Sequence, residues 1–362
     1  MSDFPAHPDA VTAEWLTDRL RAAGKLGDGR VTEVAWQPIG TGQVGDSARF
    51  TLTYEGAAGP ATFAGKFAAA DATSRGTAAA FGLYAKEVGF YRELAPQLDV
   101  RVPITYAAEV DEAGSDFVLL FEDLGPCRQG NQLDSCSIED ARQAVLQAAA
   151  IHAPSWNNSA VIEREWLHMR PEVIAQVKAL YPQAHAIFAK RYADTLEPEL
   201  MRVCAEFNEA NADYFGREGG DRCLIHGDFR LDNMLFDIRG GAEPIAVLDW
   251  QTVAVGNGLT DIGYFLGCGI GDALRREAED ELIDLYCDAM TTRGVPLSRD
   301  AVWDDYRLGA LHGLSTAVFS AAFVERTGRG DANFLSMARG ACSLARAHGS
   351  IGALTGKGGQ AV

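Results

Sequence analysis

The sequence predicts an α+β protein of two lobes, β-rich first and mainly helical second. Three observations predict it. The 362 residues exceed one ordinary domain of about 100–200 residues. Apolar and polar residues alternate in the segments that follow the first helix, the period of two of a half-buried strand. From Ile138 onward apolar residues recur every three or four positions, the period of a helix. The expected divisions are 1–124, a β-rich lobe with a leading helix; 125–137, a polar hinge; 138–354, a helical lobe; and 355–362, a flexible glycine-rich tail.

The elements follow in order. Residues 9–23 form an amphipathic helix with Val11, Trp15, Leu16 and Leu20 near one face and Thr12 or Asp9 as its cap. Val34 and Trp36 precede a glycine cluster, and Ala48, Phe50, Leu52 and Tyr54 alternate after it. Glu55–Pro60 is a turn and Ala61–Ala68 a third strand, so the chain opens as a β-meander. Thr77–Leu94 reads as one helix with Phe81, Tyr84, Val88 and Tyr91 stacked along it. Val102–Val110 and Asp116–Phe121 are two more strands, the second apolar enough to be buried. Ile138–His152, Pro171–Ala189 and Glu197–Tyr214 are helical. Cys223–Asp249 is a short β interruption, and helices return from Leu259 to Ser350.

Composition narrows the function. Hydrophobic residues make up 47% and charged residues 23%, enough apolar surface to fold and too little bias for a disordered chain. With 32 Lys+Arg against 50 Asp+Glu the net charge is −18, which repels a nucleic-acid backbone and an anionic membrane. A nucleotide could still bind, with local help from backbone N–H groups, a lysine and a divalent metal. Seven dispersed cysteines without C-x-x-C spacing suggest neither a zinc ribbon nor a disulfide framework. The segment MSDFPAHPDA lacks the pattern of a secretory signal, and no apolar run approaches the 18 or so residues of a spanning helix. The expectation is a cytoplasmic protein.

Gly40-Thr41-Gly42-Gln43-Val44-Gly45 matches G-x-G-x-x-G. A dinucleotide fold would follow it with a helix, but here a strand follows. A glycine-rich hairpin and a loop lying over nucleotide phosphates both fit. Lys66, one strand later, is either an edge-strand charge or an inward cation within reach of phosphates. Glu87 on the next helix is its natural carboxylate partner, with Glu93 the alternative. The polar segment His226–Asn233 sits between apolar stretches, and Ile245–Asp249 is an apolar strand ending in an acid. Asp228, Asn233 and Asp249 are hard oxygen donors of the kind Mg²⁺ accepts.

The order of glycine loop, lysine, helix glutamate, HGD-x₄-N and apolar-Asp resembles the aminoglycoside phosphotransferase and choline kinase-like superfamily, which has the bilobal protein-kinase-like fold. Phe121-Glu122-Asp123-Leu124, Leu248-Asp249-Trp250-Gln251 and His152-Ala153 look most like its ecdysteroid-kinase-like branch. The resemblance covers residues 30–345. It implies ATP and Mg²⁺ as cofactors. It implies Asp228 as the catalytic base or the group that orients the acceptor hydroxyl, and Asn233 and Asp249 as metal ligands. Gly40, Gly42 and Gly45 would cover the phosphates, and Lys66, steadied by Glu87, would contact them. The backbone of Glu122 to Leu124 would hold the adenine. His226 would orient the loop and Asp261 would bond its backbone; Arg230 and Asp232 stay undecided.

Gly227 stands where protein kinases carry an arginine, and only twelve positions separate Asp249 from Asp261. That leaves little room for a peptide platform, so the acceptor is expected to be a small molecule bearing a hydroxyl. Its pocket is expected between Asp228 and the helices after Leu259, with Trp250, Tyr264, Trp303, Asp304, Asp305, Tyr306 and His312 available. The alternatives are a non-catalytic nucleotide-binding switch and an antibiotic-resistance enzyme acting on aminoglycosides or macrolides.

Overall fold

A computed structural model of the chain describes residues 4–40, 45–56, 58–217, 219–324 and 326–356. They group into two units. One contains the residues up to Cys127 together with Asp237–Thr252; the other contains Arg128–Phe236 and the described residues from Val253 on.

The first unit is built on a five-stranded antiparallel sheet. Its strands are β1 (Arg30–Ile39), β2 (Gly45–Glu55), β3 (Thr62–Ala68), β4 (Thr105–Val110) and β5 (Phe117–Glu122), in the order β1-β2-β3-β5-β4. The expected meander is present, with β2 pairing β3 from Gly45↔Ala68 to Thr51↔Thr62. The leading helix is Ala13–Ala22, capped by the Thr12 side chain, and its Leu16 and Leu20 pack with Phe50, Phe63 and Val118. The alternation in β3 buries Phe63 and Phe67 in that core and puts Lys66 on the other face.

The single helix expected over Thr77–Leu94 is two helices, Ala72–Ala80 and Leu83–Gly89, the second running on as a π turn over Phe90–Leu94. The break is at Gly82, whose φ of +67° no right-handed helix accommodates. Phe81 is therefore exposed, while Tyr84, Glu87, Val88 and Tyr91 stay buried.

The segment Asp237–Thr252, expected within the helical lobe, folds with the first unit. The Arg239 N–H donates to the Leu124 carbonyl and the Val247 N–H to the Arg101 carbonyl. Arg101 pairs with Glu122 and Glu243, and Arg239 with Glu122. Trp250, raised above as an acceptor-pocket residue, is fully buried and stacks on Phe90 at 3.7 Å and 6°.

The second unit is mainly helical. Its longer helices are Ile138–Ser155, Pro171–Arg191, Pro198–Glu209, Asp272–Thr292, Arg299–Phe323 and Gly328–Ala347. Tyr181, Phe207, Leu311, Leu314 and Ala341 belong to its core. A two-stranded pairing of Cys223–Ile225 with Ala254–Gly256 precedes and follows the HGD segment in the chain. Residues 357–362 of the expected tail lie outside the described residues.

Cys127 is exposed, Cys136 half-buried and the other five cysteines buried. Thiol titration of the native protein is expected to modify Cys127 first, and to reach all seven thiols only after unfolding. A stoichiometric native crosslink, seen by mass spectrometry without reductant, would contradict this.

Candidate active site

In the first unit one ammonium serves two carboxylates. Lys66 Nζ donates to both Glu87 oxygens and to Asp249 Oδ1, each at 2.8 Å. Three chain segments meet there: β3, the Leu83–Gly89 helix and the end of the apolar strand Glu243–Val247. Glu87, not Glu93, is the partner of Lys66. Burial works against the charge of Lys66, but Asp249 and Glu87 outweigh it and hold the ammonium above its ordinary range. Burial pushes the Glu87 carboxyl up to about 6; Lys66 opposes that push and the charge of Asp249 adds to it. The trio thus carries one positive and two negative charges.

Asp249 sits at φ +64°, a left-handed conformation that aspartate tolerates better than most residues. Its neighbour secures it: the Trp250 N–H bonds the Glu87 carboxylate, and the Trp250 ring stacks on Phe90. The Trp of the Asp-Trp pair is therefore an anchor for the acid before it.

Gly40 has φ +74° and directly follows β1, and Gly45 starts β2. A Cβ on Gly45 would lie 3.0 Å from the Phe67 carbonyl oxygen and 3.3 Å from Lys66 Cε, so this end of the loop passes against the lysine. Gly42 lies outside the described residues. The Glu122 side chain is committed to Arg101, Arg239 and the Ile104 N–H, which leaves only its backbone for a ligand. The Leu124 carbonyl accepts from Arg239 N–H.

In the second unit the HGD segment is held by Asp261. This buried carboxylate accepts from the His226 N–H at 2.7 Å and the Gly227 N–H at 2.9 Å, and His152 Nε2 lies 3.2 Å from it. Gly227 has φ +80°, the physical reason for glycine after His226. His226 is buried and its Nδ1 accepts from the Asp228 N–H, an orienting contact. His312 Nε2 bonds the Gly227 carbonyl at 2.8 Å.

Asp228 is the focus of this arrangement. Tyr264 Oη donates to it at 2.7 Å, Asn233 Nδ2 at 2.8 Å and Arg230 Nε at 3.0 Å. Burial alone would raise its pKa. The Arg230 charge and the bond from Tyr264 outweigh burial and bring it down to about 2. Arg230 and Asp232, undecided from sequence, are joined: Arg230 Nη1 reaches Asp232 at 3.2 Å and Gln132 Oε1 at 3.1 Å. Asp232 also accepts from the Gln132 N–H, Arg329 and Asn333. Gln132, Arg329 and Asn333 carry no motif, and their remoteness in sequence hid them. Of the other pocket candidates, Asp305 binds Asn257 and Asp304 pairs with Arg307. Tyr306 bonds Glu279, and Trp303 packs on Tyr306 and His348.

The ecdysteroid kinase-like family model matches residues 47–294. The chain belongs to that family. This ecdysteroid kinase-like chain is 25% identical over 207 residues to acyl-CoA dehydrogenase family member 11 of Rattus norvegicus, covering 51% of this chain and 24% of that protein. With the Homo sapiens protein of the same description it shares 50% identity over 42 residues, 12% of this chain and 5% of that one. The chain thus spans a quarter or less of these curated relatives. Among solved structures it resembles choline kinase from Cryptosporidium parvum, with a TM-score of 0.55 and 11% identity over 90% of this chain and 91% of that one. It also resembles the GDP complex of aminoglycoside 2'-phosphotransferase-IIIa, with a TM-score of 0.51 and 15% identity over 92% and 99%. At such identities these likenesses establish the protein-kinase-like fold, a β-sheet lobe and a mostly helical lobe.

Because the Asp228 pKa is lowered in the folded state, its contribution to stability is present above the unfolded value near 3.8 and is lost as pH falls through about 2. In Mg²⁺-free buffer, denaturant unfolding between those pH values is expected to cost wild type about 2 kcal/mol more than Asp228→Asn. Equal losses would remove Asp228 from its ion pair with Arg230.

Proposed function

We propose that this protein is an ATP- and Mg²⁺-dependent phosphotransferase that moves the γ-phosphoryl group to a hydroxyl of a small molecule. The observation that carries this reading is the Lys66 ammonium held by Glu87 and Asp249, in a member of a family of kinase-like proteins. Phosphoryl transfer asks a protein mainly for positioning and charge neutralisation, and these residues are suited to both.

The donor chemistry fits Mg²⁺. The Asp249 carboxylate is about one-third exposed, and the Asn233 amide, its nitrogen spent on Asp228, would offer its oxygen as a ligand. When bound, Mg²⁺ neutralises phosphate charge that a −18 chain would resist. Lys66, kept charged by its two partners, supplies a fixed cation for the nucleotide phosphates, and Gly45 lets backbone approach beside it. The Glu122 carbonyl and the Leu124 N–H are the hinge groups an adenine would meet.

Asp228 accepts the hydrogen bond of the acceptor hydroxyl and aims its oxygen at the γ-phosphorus. A carboxylate with a pKa near 2 orients the hydroxyl in the ground state and takes its proton late, as the new O–P bond forms and the bond from γ-phosphorus to the ADP oxygen breaks, and then passes that proton to solvent. Seven dispersed cysteines without disulfide-framework spacing favour a cytoplasmic setting. Among the described residues, no helix is long and apolar enough to cross a membrane.

The reading is tested by ADP release from purified protein with Mg²⁺ and ATP over steroids, aminoglycosides, macrolides, amino alcohols and sugars. Lys66→Ala is expected to lose nucleotide binding or turnover where Lys86→Ala does not. It also leaves Glu87 buried without its cation, at about 3–5 kcal/mol of stability. Wild-type ATP affinity and turnover in Lys66→Ala would remove the assignment.

The two acids are expected to separate. Asp249→Ala should lose the Mg²⁺-dependent part of the thermal shift given by a non-hydrolysable ATP analogue. Asp228→Ala should keep most of that shift while turnover falls about 10²–10⁴-fold. A full Mg²⁺-dependent shift in Asp249→Ala, or wild-type turnover in Asp228→Ala, would contradict these roles.

A further inference from the structure

The strand Cys223–Ile225 stops pairing at Ile225, so His226, Gly227 and Asp228 lie beyond its ladder. Side chains take over. Asp261 accepts from the His226 and Gly227 N–H groups, His226 Nδ1 accepts from the Asp228 N–H, and Asn233 Nδ2 donates to the Asp228 carbonyl at 2.8 Å. The Gly227 carbonyl is met by a residue that no motif marks. His312 Nε2, 85 residues further along the chain, donates to it at 2.8 Å.

A carbonyl only accepts, so Nε2 of His312 carries the proton and Nδ1 is an acceptor. The Tyr214 hydroxyl, 3.5 Å from Nδ1, suits the same tautomer. The His312 ring also stands edge-on to Tyr264, with centroids 5.3 Å apart at 86°, and Tyr264 donates to Asp228 Oδ1 at 2.7 Å. His312 therefore bears on the peptide bond before Asp228 through one atom, and on the Asp228 carboxylate through a neighbouring ring.

Two helices put these groups in register. Asp261 and Tyr264 lie on Leu259–Tyr264, and His312 lies on Arg299–Phe323. The two meet backbone to backbone. A Cβ on Gly309 would lie 2.1 Å from the Leu259 carbonyl oxygen, and one on Gly263 would lie 2.5 Å from the Ala310 nitrogen. Neither position takes a larger residue unless a helix moves, so contact fixes the spacing between the helices. Asp261 then secures the N–H side of the loop and His312 its carbonyl side.

We propose that His312 is a positioning residue for Asp228. Its Nε2–H fixes the Gly227 carbonyl, and with it the peptide plane from which Asp228 projects. With Nε2 on the loop and Nδ1 facing Tyr214, His312 belongs to the scaffold of Asp228 and not to an acceptor pocket. The consequence for turnover rests on the phosphotransferase reading; the hold on the loop does not.

Two variants of the full chain separate the donor from the ring. His312→Gln keeps an N–H near the position of Nε2 and loses the ring. His312→Phe keeps a ring against Tyr264 and loses the donor. The first readout is hydrogen exchange of residues 224–235, followed by mass spectrometry, which needs no turnover. These amides are expected to exchange at least ~10-fold faster in His312→Phe and at the wild-type rate in His312→Gln. The second readout is ADP release with Mg²⁺, ATP and an accepted alcohol. In His312→Phe kcat is expected to fall ~10–10²-fold with KM for ATP unchanged, and His312→Gln is expected to recover most of that loss. Unfolding curves check that the variants fold; if His312→Phe does not, His312→Leu takes its place with the same expectation. Wild-type exchange or wild-type kcat in His312→Phe overturns the proposal. So does an equal effect in both variants, which would assign the role to the ring, or a loss confined to KM. Exchange that depends on the donor, with no ADP release by wild type from any acceptor, supports the hold on the loop and rejects the phosphotransferase reading.

Discussion

The ammonium of Lys66 is the contact on which the first unit's chemistry depends. It is one cation between two carboxylates, and it draws together a strand, a helix and a segment more than a hundred and fifty residues later in the chain. The segment Asp237–Thr252 folds with the sheet for this reason and because Trp250 stacks on Phe90. A largely buried trio with an excess negative charge, open to solvent mainly at Asp249, is costly without further cations. The raised Glu87 carboxyl is the sign of that cost.

The second unit solves the opposite problem. Asp228 is a carboxylate surrounded by donors, from Tyr264, Asn233 and Arg230, and its backbone is positioned through His226 and Asp261. Such a group is held in place and kept ionised, which suits aiming a hydroxyl more than removing its proton. Arg230 does two things at once: it lowers the Asp228 pKa and, through Asp232, ties the HGD segment to the start of the Gly328–Ala347 helix.

The fold was largely legible. Alternation located the first strands and a continuous apolar run located β5, each within a few residues, because a strand is apolar on every face that meets the core. Helical spacing located the helices after Ile138 equally well. The failure at Thr77–Leu94 was local: glycine is allowed inside a helical pattern, and only the φ of Gly82 shows that the chain turned there. Trp250 was open between a pocket and the core for a different reason. An aromatic beside a functional acid can line a pocket or anchor the acid, and the choice depends on Phe90, a residue far away in the chain.

The sequence by itself determined the alternating and helical periods, the glycine after His226 and the family to which the order of motifs belongs. These are local properties: backbone conformation and the period of apolar residues are written within a few positions. Tertiary structure alone decided that Asp249 joins Glu87 on Lys66, that Tyr264 and Arg230 share Asp228, and that Gln132, Arg329 and Asn333 gather on Asp232. A polar side chain finds its partner by packing across distant segments, and one sequence read along its length does not carry that distance.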